Sequence, residues 1–407
     1  MRRVLPWLLA IGLVGLPVRV AHADDPPWAH PYVLGRGVGH WEWRRSGPDE
    51  DIRVTTVARG APVRMTPVLS NDEVAEDDVQ RRLELTSSMC TRVAALACVN
   101  GDFGERRGNG AIGGPPAGGL IRDGEVLRSF QPGHHQLFIG PDGLAMDNVR
   151  LTQRLVAVPQ PPLVGQVEPE QSLPIAGINV QPGADVTVLY TPAYADTTQT
   201  GGSRDEMALR LGAPLRPADG VLRTLDVAAR TLELRLGRGD LPIPRDGVVV
   251  SARGRAAGRL RQFWDAVHSG NYEITLQLTA SRPVSGSIGF LPPVLRNGRR
   301  APQDDGNHLV RGRAPRTVVG WNRHGTVFLV TVDGRRPDSV GMTIGDTADL
   351  LLGLGATDAA GLDGGGSTTF VAAGPCPGHG PCVLNRPSDG RERPVSSALA
   401  VVPVSGR

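Results

Sequence analysis

Between about Leu151 and Leu295 the chain is a succession of short apolar runs broken by polar, glycine and proline positions, among them "VTVLY" (Val186 to Tyr190), "VVVSA" (Val248 to Ala252) and "ITLQL" (Ile274 to Leu278). Runs of this length bounded by turn residues have the dimensions of strands. Upstream, Val54 to Val57 predicts a strand, "EDDVQRRLELTSSM" (Glu76 to Met89) an amphipathic helix, and "RVAALACV" (Arg92 to Val99) a buried strand running into Asn100-Gly101-Asp102. Residues 24–50, rich in Pro, Gly and Trp, predict an irregular leader.

The last hundred residues carry the clearest pattern. "TVFLVTVDG" predicts a strand ending at Asp333. A helix follows, with Thr343 as its cap, Asp346 at the capping-box position and Ala348, Leu351 and Leu352 on one face; Gly353 and Gly355 stop it. A second short strand then runs to Asp363. Strand, helix and strand over this length predict a βαβ unit whose two strands are parallel, with their carboxyl ends on one sheet edge. The expected fold is therefore α+β or mixed α/β: a mixed sheet with packed helices, closed by a βαβ unit that ends in a glycine-rich ligand loop.

That loop reads "GLDGGGSTTF" (Gly361 to Phe370). Gly364, Gly365 and Gly366 allow close backbone approach, and their amides could form an anion-binding nest with Ser367, Thr368 and Thr369 as further donors. The same residues would equally make a tight packing turn.

The N-terminus changes the picture of where the protein works. Arg2 and Arg3 precede an apolar run from Val4 to Leu16, and Ala21-His22-Ala23 has the small-x-small spacing of a cleavage site, so residues 1–23 predict a secretory signal removed after Ala23. The net charge of +3 includes Arg2, Arg3 and Arg19; without them acids and bases are equal in number. A nucleic-acid partner and stable membrane insertion both lose their support. Every basic residue is Arg, which excludes a Schiff-base lysine, a Walker-type loop and a Ser-Lys pair, and suits bidentate capture of phosphate or carboxylate. In an exported chain the four cysteines predict two local disulfides, Cys90 with Cys98 and Cys376 with Cys382.

No His-Glu-x-x-His, His-x-His or Gly-x-Ser-x-Gly motif occurs, and the one adjacent histidine pair, His134-His135, reads as surface or structural. Acid–base work falls to carboxylates, as in glycoside hydrolysis.

Six blocks resemble the phosphodiester glycosidase family in order and spacing: "VNGDF" (Val99 to Phe103), "PAGGLIRDGEV" (Pro116 to Val126), "RTVVG" (Arg316 to Gly320), "TVDGRRPDSVGMT" (Thr331 to Thr343), "GLDGGGSTTFV" (Gly361 to Val371) and "NRPSDGRERPVSSALAV" (Asn385 to Val401). Family members include an enzyme that removes N-acetylglucosamine from a sugar phosphodiester. Two departures stand out: "NGDFGERR" lacks the second aromatic usual after Phe103, and "SIGFLPP" replaces a glycine pair. The resemblance implies a single catalytic domain over residues 51–407, secreted or in the cell envelope, that hydrolyses a sugar-1-phosphodiester or phosphorylated glycan.

Matching positions imply the site residues. Asp363 is the first choice for the carboxylate at the anomeric carbon, with Asp102, Asp389 and Glu392 as candidates for the second. Arg316 and Arg386 are candidates for binding phosphate, together with Asn100, Asn385, Ser367, Thr368 and the three glycines. No cofactor is required; a divalent cation at Asp333 and Asp363 is an open alternative, since a phosphodiesterase attacking phosphorus would want metal. A non-catalytic glycan-binding module is the other alternative.

Overall fold

The short apolar runs of the middle of the chain pair with one another. In the structure, a computed structural model describing residues 29–75, 83–106, 112–160, 169–303, 308–374 and 380–404, they build an eight-stranded sheet. Its order is Gln171–Ile175, Leu151–Pro159, Tyr272–Val284, Leu222–Arg235, Asp205–Leu211, Gly247–Ala252, Thr187–Tyr190 and Gly177–Ile178. Neighbours run antiparallel except for the last pair. Leu155, Leu189, Met207, Val250 and Leu276 face a core into which the helix Arg255–Ser269 inserts Leu260 and Phe263. Each such side chain stabilises the fold by about 1.5–3 kcal/mol on burial.

The expected α+β class is overturned. Nearly half of the described residues lie in strands, and the sheets pack mainly on one another: the same core cluster holds Val319 and Leu329 of one sheet, Val99, Phe370 and Leu399 of a second, and Leu137 and Ile288 of a third. Helices are few, and only Arg255–Ser269 and Ile344–Gly353 reach ten residues among those described. One strong βαβ pattern at the C-terminus suggested a class that the rest of the chain does not follow, because its apolar runs are too short for helices and find partners across turns instead. The leader is corrected too. Ala29–Gly35 and Val38–Arg45 are strands at the edge of a second eight-stranded sheet. Of the helix predicted over Glu76 to Met89, residues 76–82 lie outside the described residues, and the helix seen is Thr86–Arg92.

Val327–Val332, Ile344–Gly353 and Asp358–Gly361 form a split βαβ. Both strands pair antiparallel with Arg316–Trp321, which lies between them, so they run parallel to each other without touching. The helix starts at the expected capping box: Thr343 Oγ1 accepts from the Asp346 amide at 3.0 Å, and Asp346 Oδ2 accepts from the Thr343 amide at 3.3 Å. Its buried face carries Ala348, Leu350 and Leu351, while Leu352 turns to solvent. The far faces of these strands pack on the five-stranded sheet whose central strand is Ala97–Asn100, flanked by Phe370–Ala372 and Ser397–Pro403. Three chain segments, 100–103, 363–369 and 385–396, are thereby brought to one place.

The disulfide Cys90–Cys98 ties the Thr86–Arg92 helix to the Ala97–Asn100 strand. Cys382 is disulfide-bonded, while its expected partner Cys376 lies outside the described residues, as does the predicted signal.

Candidate active site

Asn100 is fully buried at the end of its strand, and both ends of its side-chain amide are hydrogen-bonded. Its Nδ2 donates to the Asp363 carbonyl at 2.6 Å, and its Oδ1 accepts from the Thr317 hydroxyl at 2.7 Å and the Thr369 amide at 3.0 Å. In return the Asp363 amide donates to the Gly101 carbonyl at 2.9 Å. Asn100 thus holds the backbone that presents Asp363.

Two carboxylates lie close enough behind this lacing for the charge of Asp363 to act on Asp102. Burial pushes Asp363 up to about 6, against the Ser367 hydroxyl, the Arg393 charge and the Gly364 amide, which favour its ionised form. Asp102 is 2% exposed, and burial pushes it up to about 7 although Gly118 and Phe103 amides donate to it at 2.6 and 2.7 Å. The Asp363 charge raises it further and Arg128 opposes. Two neighbouring carboxylates with values raised to different degrees are an arrangement that acid–base chemistry uses.

Several amides of the glycine turn are already taken by backbone carbonyls. The Gly365 amide donates to the Pro315 carbonyl at 2.9 Å, and the Ser367 and Thr368 amides close a 3₁₀ turn onto Gly364 and Gly365. The missing side chains make room for arginines instead. Gly365, at φ +62°, has the Arg335 guanidinium 3.2 Å from where its Cβ would stand, and a Cβ on Gly366 would overlap the Arg393 guanidinium. Arg393 pairs with Asp389 Oδ2 through Nε at 2.9 Å and reaches the Ser367 hydroxyl at 3.4 Å. Arg335 is exposed and, among the described residues, its guanidinium has no hydrogen-bond or ion-pair partner. Its own backbone is left-handed, at φ +59°.

The other expected site residues sort clearly. Arg316 lies beside Arg335, but its Nε and one terminal nitrogen donate to the carbonyls of Met342 at 2.8 Å and Gly312 at 2.7 Å; burial, then the Arg335 charge, lower it to about 10. Asp333 accepts from Arg53, Asn385 and the Arg386 amide, which pins the 385–386 turn. Asn385 also binds the Thr368 carbonyl and the Phe370 amide, so like Asn100 it serves the backbone. The Arg386 side chain pairs with Asp338 at 2.8 Å. Thr368 is fully buried, its hydroxyl without a partner. Glu392 stands apart: its two oxygens accept the Ser87 amide at 2.8 Å and hydroxyl at 2.6 Å, capping the Thr86–Arg92 helix. Among the described residues no three His, Cys, Asp or Glu side chains group closely enough to hold a metal ion. A cavity of about 540 Å³ at the start of the Ile344–Gly353 helix is lined by none of these residues.

Arg335 and Arg393, whose guanidinia lie against the glycine turn, were not singled out in the sequence. Both lie in blocks that resemble the family, but in a chain whose bases are all arginine nothing local separates a free guanidinium from a paired one.

The phosphodiester glycosidase family model matches residues 229–402, which covers four of the six resembling blocks and leaves those at 99–126 outside. An uncharacterized protein, YomE, derived from the SPbeta prophage of Bacillus subtilis strain 168 is 31% identical over 133 residues, 32% of this chain. The chain spans only 20% of that relative's length. The crystal structure of a hypothetical protein from Synechocystis superposes with a TM-score of 0.61 at 20% identity, covering 93% of this chain and 64% of that one. A Burkholderia pseudomallei K96243 protein, described as a candidate exported protein, gives 0.57 at 21%, covering 87% and 74%. These two structures share the fold.

Proposed function

We propose that the protein is an exported hydrolase that cleaves the glycosidic bond of a sugar-1-phosphodiester, such as an N-acetylglucosamine-1-phosphodiester. The observation that carries this is the pairing of Asp363 and Asp102 next to a glycine turn crossed by Arg335 and Arg393. A phosphate leaving group is a weak base and needs little protonation, so the essential demand is one ionised carboxylate near the anomeric carbon and fixed cations for the phosphate. Asp363 meets the first demand. It takes the proton of an attacking water, or attacks carbon itself, and the bond from the anomeric carbon to the phosphate oxygen breaks with its electrons leaving on phosphate. Asp102, buried behind it, holds a proton while Asp363 is charged. Arg335, whose guanidinium has no partner among the described residues, is the cation for the phosphate, with Arg393 tied to Asp363 through Ser367.

No cofactor enters this scheme. The catalytic unit is residues 51–407, with the leader strands completing a sheet edge. Among the described residues no helix is long and apolar enough to cross a membrane, and export rests on the N-terminal signal pattern. Hydrolysis in oxygen-18 water decides the chemistry. Label in the sugar product supports attack at carbon; label in the phosphate would mean attack at phosphorus and overturn the proposal.

A further inference from the structure

We propose that Gln136 is a positioning residue for Asp102: its side-chain amide supplies a third donor to the Asp102 carboxylate and so sets how readily that group gives up and retakes its proton. The proposal deepens the hydrolase reading above and rests on it.

Gln136 lies directly opposite Gly289 in the antiparallel pair of His135–Gly140 with Gly286–Phe290. Side chains at opposed positions share one face of the sheet, about 5 Å apart. Gly289 has none, and the Asp102 carboxylate occupies its place: a Cβ on Gly289 would overlap Asp102 Oδ2. Asp102 therefore stands where the cross-strand partner of Gln136 belongs. Ser287, two residues along the same strand, donates its hydroxyl to Gln136 Oε1 at 3.0 Å. That bond assigns the amide and turns Nε2 toward Gly118. A Cβ on Gly118 would lie 2.5 Å from Gln136 Nε2 and 3.0 Å from Asp102 Oδ2, so both atoms converge on one bare Cα. Nε2 is buried and otherwise without a partner, whereas buried donors are nearly always paired. A small approach of the Asp102 carboxylate when it ionises meets that need.

The charged groups around Asp102 are few. Asp363 opposes its ionisation; Arg128, ion-paired with Glu105, favours it. His135, beside Gln136 on its strand, pairs at 2.8 Å with Asp147, which follows the next strand, accepts the Gln136 main-chain amide and also pairs with Arg296.

The test is a carbon-13 NMR titration of aspartate-labelled protein, with the Asp102 carboxyl signal assigned by its loss in Asp102→Asn. Removing a donor to the charged form raises the midpoint, so Gln136→Met should move it up by about one pH unit, and Gln136→Glu, which adds a like charge, by more. The limb of the kcat/KM profile that reports Asp102 should move with it. Should Gln136→Met fail to fold, Ser287→Ala keeps the glutamine but frees its amide, and a smaller upward move is expected. An unchanged midpoint in folded variants overturns the proposal. The titration needs no substrate: if the wild type cleaves no sugar-1-phosphodiester, the hydrolase reading falls while the midpoint still decides the role of Gln136.

Discussion

Asn100 Nδ2 donates to the main-chain carbonyl of Asp363 at 2.6 Å, across a sequence separation of 263 residues. The bond joins the two loops that carry the paired carboxylates, and the same side chain accepts from Thr317 and Thr369. Asn100→Ala leaves those buried partners unmet, at about 1–3 kcal/mol each in the worst case. We expect an overall loss of about 2–4 kcal/mol in urea unfolding, well beyond an ordinary surface change. A loss below 1 kcal/mol would show that the loops hold without it.

Asp363→Asn keeps shape and removes charge. Turnover of a sugar-1-phosphodiester should fall by several orders of magnitude, with a melting temperature at neutral pH no lower than that of the wild type. Near-normal turnover combined with a much lower melting temperature would make Asp363 a structural turn acid.

Asp102 and Asp363 both carry raised folded-state values, about 7 and about 6, against roughly 3.9 for an unfolded aspartate. A raised acid favours the fold when protonated, so its contribution is full below pH of about 4 and is lost as pH climbs through the folded value. For Asp102 the loss is up to about 4 kcal/mol. Stability should therefore fall between pH of about 4 and 7 in the wild type and fall less in Asp102→Asn. Parallel curves for the two proteins in pH-dependent urea unfolding would rule this out.

Arg335 and Arg316 should behave oppositely. Arg335→Ala removes a guanidinium with no described partner, so KM for a phosphodiester should rise about 5- to 150-fold, the equivalent of about 1–3 kcal/mol, with the fold intact. Arg316→Ala removes donors to the Met342 and Gly312 carbonyls and should lower the melting temperature. Steady-state kinetics beside thermal melts separate the two, and a large KM effect confined to Arg316 would reverse the assignment.

Glu392→Ala removes both acceptors for Ser87 at the start of the Thr86–Arg92 helix. It should cost about 1–2 kcal/mol of stability and leave kcat unchanged at temperatures well below melting. A drop in kcat of a hundredfold or more in folded protein would return Glu392 to the catalytic group.

What could be read along the chain was what depends on neighbours in sequence. The Thr343–Asp346 capping box, the strands that stop at Val332 and Gly361 just before Asp333 and Asp363, the Cys90–Cys98 pair and the glycine turn are all local, and short-range sterics and hydrogen bonding decide them. The fold class was not local. Each run between 151 and 295 is compatible with several partners, and only pairing across the whole molecule made them sheets packed on sheets. The site divided in the same way. Asp363 and Asp102 are visible as acids beside glycines, but whether an acid is buried beside another depends on what the fold puts around it. Tertiary structure alone sent Glu392 to a helix cap, tied Arg316 to carbonyls, left Arg335 without a partner among the described residues and set Gln136 opposite the bare Cα of Gly289. Those outcomes turn on distances between residues tens to hundreds of positions apart, which a pattern read along one chain does not contain.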